Sequence, residues 1–247
     1  YFKKSRATYE TFSSNADLSR HIINIVPMIE PKGDKARLNL GVDMALEKNL
    51  ESEIHLFPKV DFRLPIAENI FYVFANVSGG VVKNNFLTMA LENPFVNSTV
   101  QPMNTINKLE LKGGMNGSFS SRVSFLAYVK YSSFDRLQLY FNDSISSNKF
   151  NVAYSNGKVV NIHGELTYRA GEKFEATVHV DQYKYSLDFS QKAWHHPNTE
   201  VKFSAKYNLR DKLYIDGALF GRGSYYVRIQ ELNGFSEKSI KGYVDGN

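Results

Sequence analysis

Six histidines and no cysteine bound the chemistry open to this 247-residue chain. Thiolate nucleophiles, zinc–thiolate centres and disulfides are excluded. Among the histidines, His163 and His179 are brought together by spacing. A hairpin turning near Ala170-Gly171-Glu172 matches Leu166 with Ala176 and sets His163 beside His179, with Asn161 and Asp181 one pair further on. Two imidazoles and a carboxylate are a zinc-type ligand set. The plainer reading is a hydrogen-bonded ladder of polar residues lining water, and no metal ligand is assigned on this basis. His195 and His196 are adjacent and would point opposite ways on a strand, while Pro197 marks a loop. With Trp194, Tyr225 and Tyr226 they form a candidate surface for stacking a sugar or another ligand. An interfacial aromatic girdle is the competing use of the same residues.

Other constellations fall away. Glu165, Glu175 and Asp181 supply carboxylates for a glycosidase-type pair, but nothing in the sequence desolvates one of them. No Gly-x-Ser-x-Gly elbow supports a hydrolase, and Gly217, Gly221 and Gly223 do not make a dinucleotide fingerprint. Four Asn-x-Ser/Thr triplets start at Asn76, Asn97, Asn116 and Asn142, a frequency chance supplies. Net charge is +5, with lysine and arginine scattered rather than blocked, so no nucleic-acid partner is expected. The expectation is a protein that is not an enzyme and needs no cofactor.

The elements that must carry these residues are strands. In "VKFSAKYNLRDKLYIDGALF" (Val201 to Phe220) every second residue is apolar on either side of Arg210-Asp211-Lys212. A period of two means that one face of a strand is apolar and the other polar. Pairing Leu209 with Leu213 sets Tyr207 against Ile215, Phe203 against Leu219, and Lys206 against Asp216. A second hairpin turning at Gly33-Asp34 pairs Ile29 with Leu38, Ile25 with Val42 and Glu30 with Arg37. Residues 38 to 46 and 54 to 64 alternate in the same way. Helical periodicity is nearly absent; NFLTMALE (Asn85 to Glu92) is one helical turn or a loop.

Strand length and turn rhythm point to a membrane. The alternating runs reach roughly 9 to 13 residues, longer than the five or six usual in soluble sheets. Tight connections (Pro31 to Lys35, Pro65 to Asn69, Gly117 to Arg122, Ala170 to Glu172, Arg210 to Lys212) alternate with looser ones. The looser set is Lys48 to Ser52, Lys83 to Asn104, Ser190 to Asn198 and Arg222 to Glu237. Outer-membrane barrels sort short turns to one rim and long loops to the other. Charged residues such as Lys206, Asp216, Glu165 and His179 persist mid-strand on the polar face, as a wet lumen allows. The fold expected is an all-β, antiparallel, up-and-down transmembrane barrel or part of one, with about 14 strands in a single domain over residues 1–247.

The stretch "AWHHPNTEVKFSAKYNLRDKLYIDGALFGRGSYYVR" (Ala193 to Arg228) resembles the late barrel strands of Bacteroidetes TonB-dependent receptor-like outer-membrane proteins. In that family a Trp-His-x-Pro loop precedes a strand, a periplasmic turn of the "NLRDK" type, and a strand ending near an aromatic-rich loop. Ser19 to Val42, Glu92 to Val96 and Arg169 to Tyr185 resemble the group as well. The resemblance implies a barrel in the bacterial outer membrane that binds or imports a ligand. It implies outer-membrane lipid, TonB and a surface lipoprotein as partners. Ligand contacts would then fall to Trp194, His195, His196, Tyr225 and Tyr226. His163, Glu165, His179, Asp181, Lys206 and Asp216 would face the lumen. No plug domain or TonB-box-like segment is recognised, and Asp245-Gly246-Asn247 lacks a terminal aromatic. Part of a longer barrel and a smaller plugless barrel are both expected on that ground. A scaffolding barrel and a soluble β-rich binding protein are the alternative readings.

Overall fold

The computed structural model describes residues 3–11, 14–31, 33, 35–48, 52–67, 70–143, 146, 148–188, 192–209, 212–231 and 234–246, of which 3–11, 14–20, 230 and 231 by backbone alone. Among the described residues the chain begins with β1 (Lys3–Thr11), β2 (Ser14–Ile25) and the two-residue β3 (Met28–Ile29). β4 (Arg37–Lys48), β5 (Ser52–Ala67) and β6 (Phe71–Val82) follow, then helix α1 (Phe86–Glu92). The centre is β7 (Thr105–Ser120), β8 (Val123–Asn142), β9 (Phe150–Ala170) and β10 (Phe174–Leu187). β11 (Thr199–Leu209) and β12 (Leu213–Arg222) come next. β13 (Tyr225–Glu231) and β14 (Gly234–Ile240) precede the short β15 (Tyr243–Gly246).

One antiparallel sheet takes up thirteen of these strands, in the order β1-β2-β4-β5-β6-β7-β8-β9-β10-β11-β12-β15 with β3 beside β4. Almost every strand pairs with its neighbours in sequence, the up-and-down order expected of a barrel wall. β13 and β14 form a separate two-stranded sheet. That hairpin begins inside the segment read from sequence as the loose connection Arg222 to Glu237 and runs past it to Ile240, because its alternation is brief. NFLTMALE resolves into α1. Asn85 caps it by accepting from the Thr88 N–H at 2.8 Å, while the Thr88 hydroxyl accepts from the Asn85 N–H.

The Val201–Phe220 hairpin has the register read from its alternation: Leu209 faces Leu213, Tyr207 faces Ile215, Phe203 faces Leu219, and Lys206 faces Asp216. Its turn residues Arg210 and Asp211 lie outside the described residues. The other two registers are corrected by two residues each. Ile29 pairs with Leu40 rather than Leu38, and Ile25 with Met44 rather than Val42. Ala176 pairs with Tyr168 rather than Leu166, so His179 stands opposite Glu165 and Asp181 opposite His163. A slip of two preserves the faces, so hydrophobic alternation cannot detect it; turn geometry decides it. The Glu30–Arg37 ion pair forms even so, at 3.7 Å, because both side chains are long enough to meet diagonally.

Burial is inverted relative to a water-soluble sheet. Ile54 is 74% exposed and Ile215 is 55% exposed, with Val129, Ile162 and Leu219 similarly bare on the same face of the sheet. Glu47 and Asn161, on the opposite face, are each 2% exposed. Apolar residues out and polar residues in is the pattern of a wall with lipid outside and water within. The small apolar core sits on the polar face, where Ala45, Phe57 and Ile106 pack together. β8 and β9, at 20 and 21 residues, run well beyond the roughly 9–11 residues a tilted strand needs to cross a bilayer. Their excess projects at the loose-loop rim.

Candidate functional site

Two clusters arise from this geometry, one at the loose-loop rim and one along the polar face. At the rim, Met89 of α1 packs with Val96 and Tyr140, and Phe150 and Tyr154 close over them. Backbone bonds fasten the loop after α1 to β9: Phe150 N–H donates to Phe95 O at 2.9 Å and Asn97 N–H to Phe150 O at 2.8 Å. The loop before β11 is fastened in turn, since His195 N–H donates to Tyr226 O at 2.8 Å. Between these loops opens a cavity of about 850 Å3, with Tyr185, His195, His196, Tyr225, Arg222 and Glu200 in its wall.

The five rim residues singled out from sequence divide into two groups. His195, His196 and Tyr225 line the cavity. Trp194 is 2% exposed, and its indole N–H donates to Glu237 at 2.8 Å. The Arg228 guanidinium lies 5.1 Å from the Trp194 ring centre and 3.9 Å from that of Phe235. Tyr226 takes the Lys192 ammonium over its ring at 4.4 Å. Trp194 and Tyr226 thus hold the β13–β14 hairpin against the loop, and the cavity falls to their neighbours. His195 adopts φ of 62°, a left-handed conformation that aims its ring at Phe150 edge-on, 5.1 Å away. Burial, with His196 beside it, pushes its pKa down to about 4. Its Nε2 is buried without a hydrogen-bond partner.

Sequence reasoning missed Tyr185, Arg222 and Glu200. They lie on three different strands, and only pairing brings them to one cavity; Arg222 and Glu200 are register partners joined by an ion pair at 3.2 Å. Alternation places Tyr185 on the polar face, and that was the one available signal.

The polar face carries a chain of side-chain bonds across successive strands. Asn76 Nδ2 donates to Asp61 at 2.6 Å, Lys130 lies 3.8 Å from Glu110, and Ser132 donates to Glu110 at 3.3 Å. Lys112 places its ammonium 4.0 Å from the Tyr128 ring centre. Further on, Asn161 donates to Asp181 at 2.9 Å, His163 Nδ1 lies 2.9 Å from the same carboxylate oxygen, and His179 Nδ1 lies 3.2 Å from Glu165. His163, Glu165, His179 and Asp181 thus converge. Lys206 and Asp216 are paired in register but stand apart from that group, towards the tight-turn rim.

A second node surrounds Glu47. Its carboxylate accepts from Asn104 Nδ2 at 2.8 Å and lies 3.3 Å from His55 Nε2 and 3.5 Å from Arg136 Nη2. A bulge in β8 between Phe134 and Leu137 gives Arg136 its φ of 58° and turns it to this carboxylate. Nothing in the sequence marks Arg136 for that role.

No family model matches the chain, and no curated protein matches its sequence. Solved structures do match its shape. The ferripyoverdine receptor of the outer membrane of Pseudomonas aeruginosa, bound to ferripyoverdine, superposes with a TM-score of 0.64 at 11% identity, over 96% of this chain and 33% of that one. The fold is that of an outer-membrane receptor's barrel wall. The FrpB iron transporter from Neisseria meningitidis gives 0.59 at 12% identity, over 94% of this chain and 38% of that one. The copper transporter OprC gives 0.58 at 10% identity, over 98% and 43%. The chain therefore spans about a third to two fifths of the length of the barrels it matches.

Proposed function

We propose that this chain forms part of the wall of a TonB-dependent receptor-like barrel in the bacterial outer membrane, and that its loose-loop rim captures a ligand for import. The observation that carries the reading is the inverted burial: a continuous apolar face left bare and a polar face whose carboxylates and amides are buried. The rim cavity supports the capture step. Tyrosine and histidine rings supply stacking faces, and Arg222 with Glu200 supplies charge for orienting a polar ligand. Barrels of the same fold include a ferripyoverdine receptor and transporters of iron and copper, so a chelate or metal-bearing ligand is the first class to try. Outer-membrane lipid is the partner of the bare face; TonB and a surface lipoprotein are the partners proposed for coupling and capture.

Fractionation and folding test this reading together. The protein is expected in the outer-membrane fraction, soluble only in detergent and heat-modifiable on a gel. Replacing Tyr185 and Tyr225 by Ala should then weaken uptake of the responsive ligand in a panel of ferric chelates and cupric ion, while the barrel still folds. A monodisperse, folded protein in plain buffer would sink the proposal.

A further inference from the structure

Three metal-type donors meet on the polar face where β9 and β10 run side by side. His163 and Glu165 are two residues apart on β9, so both project to the same face, and His179 stands directly opposite Glu165 on β10. Their donor atoms all lie within 4.8 Å of one another. Glu165 Oε2 is 3.2 Å from His179 Nδ1 and 3.9 Å from His163 Nε2. Donors around a tetrahedral ion with bonds of about 2.0–2.1 Å are separated by about 3.3 Å. One edge of the site is already at that spacing, and the others close with side-chain movements of roughly 1 Å.

The surroundings prepare His163 for such a role. A carboxylate only accepts, so Asp181 Oδ1, 2.9 Å from Nδ1, takes the ring proton on that side. Asn161 donates to the same oxygen at 2.9 Å and fixes the carboxylate. Nε2 is then left with its lone pair facing Glu165, at 3.9 Å and beyond hydrogen-bond reach. Glu165 Oε2, which has His179 Nδ1 at 3.2 Å, faces that lone pair, and a cation between them would draw on all three groups. A carboxylate holding the far nitrogen of an imidazole is the outer-shell arrangement that orients metal-binding histidines. Tyr128 stacks flat on the His163 ring at 4.5 Å and 16°, and Thr167 donates to Glu165 Oε1 at 3.3 Å, while Oε2 is turned to the two histidines.

Neighbouring lysines are engaged elsewhere. Lys130 is turned to Glu110, and Lys202 lies over the Phe220 ring at 5.1 Å. The other group of suitable donors, Glu47, Glu53 and His55, already holds the Arg136 guanidinium 3.5 Å from both carboxylates. No such cation is set against Glu165 among the contacts of the described residues.

We propose that His163, Glu165 and His179 bind one divalent first-row transition-metal ion, zinc or cobalt in type, with Asp181 positioning His163 and an open coordination place towards the lumen. Two imidazoles select against magnesium and calcium, which take oxygen donors. The ion would clip β9 to β10 in mid-wall, and this inference is independent of whatever ligand the rim captures.

Cobalt(II) titration of the detergent-folded protein tests it. The expected result is a visible ligand-field band saturating at one ion per chain and bleached by zinc. H163Q and H179Q should each abolish the band, with E165Q as the third ligand test. D181N should keep the band but weaken cobalt binding by about 10–100-fold. H55Q and H195N should leave it unchanged. Heat-modifiable mobility shows which variants have folded. A folded wild type with no band, or a band that survives in folded H179Q, overturns the site.

Discussion

The indole N–H of Trp194 meets the Glu237 carboxylate at 2.8 Å, joining the loop before β11 to the second strand of the β13–β14 hairpin. Arg228, the register partner of Glu237, presses on the same indole at 5.1 Å. Among the described residues the hairpin pairs with no strand of the large sheet, and these contacts help dock it together with the Trp194–Tyr226 bridge, Lys192 over Tyr226 and Arg228 over Phe141 of β8. Trp194→Phe keeps one aromatic ring, removes the donor and leaves some space unfilled, and should loosen the hairpin by about 1–3 kcal/mol. Amide exchange over residues 225–240 should accelerate while the mid-wall of β9 and β10 stays protected. Unchanged exchange there would mean the bond is idle.

Trp194 is also the single tryptophan of the chain. Its burial predicts a blue-shifted emission in the folded protein. On heating, the shift to longer wavelength should come before loss of the β-sheet signal, because the rim is held by a few loop contacts and the wall by continuous ladders. Coincident transitions would show that rim and wall unfold as one unit.

Glu47 is a buried carboxylate satisfied from three sides by Asn104, His55 and Arg136. Removing it strands the Arg136 guanidinium beside Glu53 alone. Glu47→Ala should cost about 3–5 kcal/mol, the penalty for breaking a buried pair from one side. Arg136→Met, by contrast, leaves Glu47 its Asn104 and His55 partners and should cost less. Urea titrations of the refolded barrel in vesicles compare the two; an equal or reversed order would refute the assignment.

His195 offers a pH-dependent readout of the rim. Its folded pKa, pushed down to about 4 by burial, lies below the ordinary 6.5, so the unfolded or undocked loop binds the extra proton first. Rim stability should therefore hold above pH 6.5 and fall as the pH drops towards 4. Amide protection factors at Trp194–His196 should fall over that window. His195→Asn tolerates the left-handed φ and carries no titrating ring, so it should flatten the dependence. A profile that is identical in H195N would place the titrating group elsewhere.

The bare apolar face is testable by charge. Ile162→Arg, near the middle of β9, should lower folding stability in phospholipid vesicles by about 2–4 kcal/mol. Lys206→Gln on the other face of the wall should stay within about 0.5 kcal/mol. If Ile162→Arg folds as well as the parent, that face does not meet lipid.

The period-two alternation of residues such as Val201 to Leu209 determined that strands form and which side of each is apolar, because side-chain direction follows from backbone pleating alone. It also determined, through turn lengths, the up-and-down order. The register of the hairpin around Lys212 is the one its alternation gives. The registers at Ile29 and at Ala176 are not the ones read from it, because a slip of two keeps every side chain on its face and costs the alternation nothing. The candidate sites live on that difference. Pairing His179 with Glu165 rather than with His163 is what turns a row of polar residues into three converging donors. The rim cavity draws on Tyr185, Arg222 and His195, residues far apart in the chain that share no local pattern. The sequence by itself determined the two faces of the wall, a property of each residue and its neighbours. Only the tertiary structure decided which residues on the polar face stand within reach of one another, because that depends on pairings between strands that local periodicity does not encode.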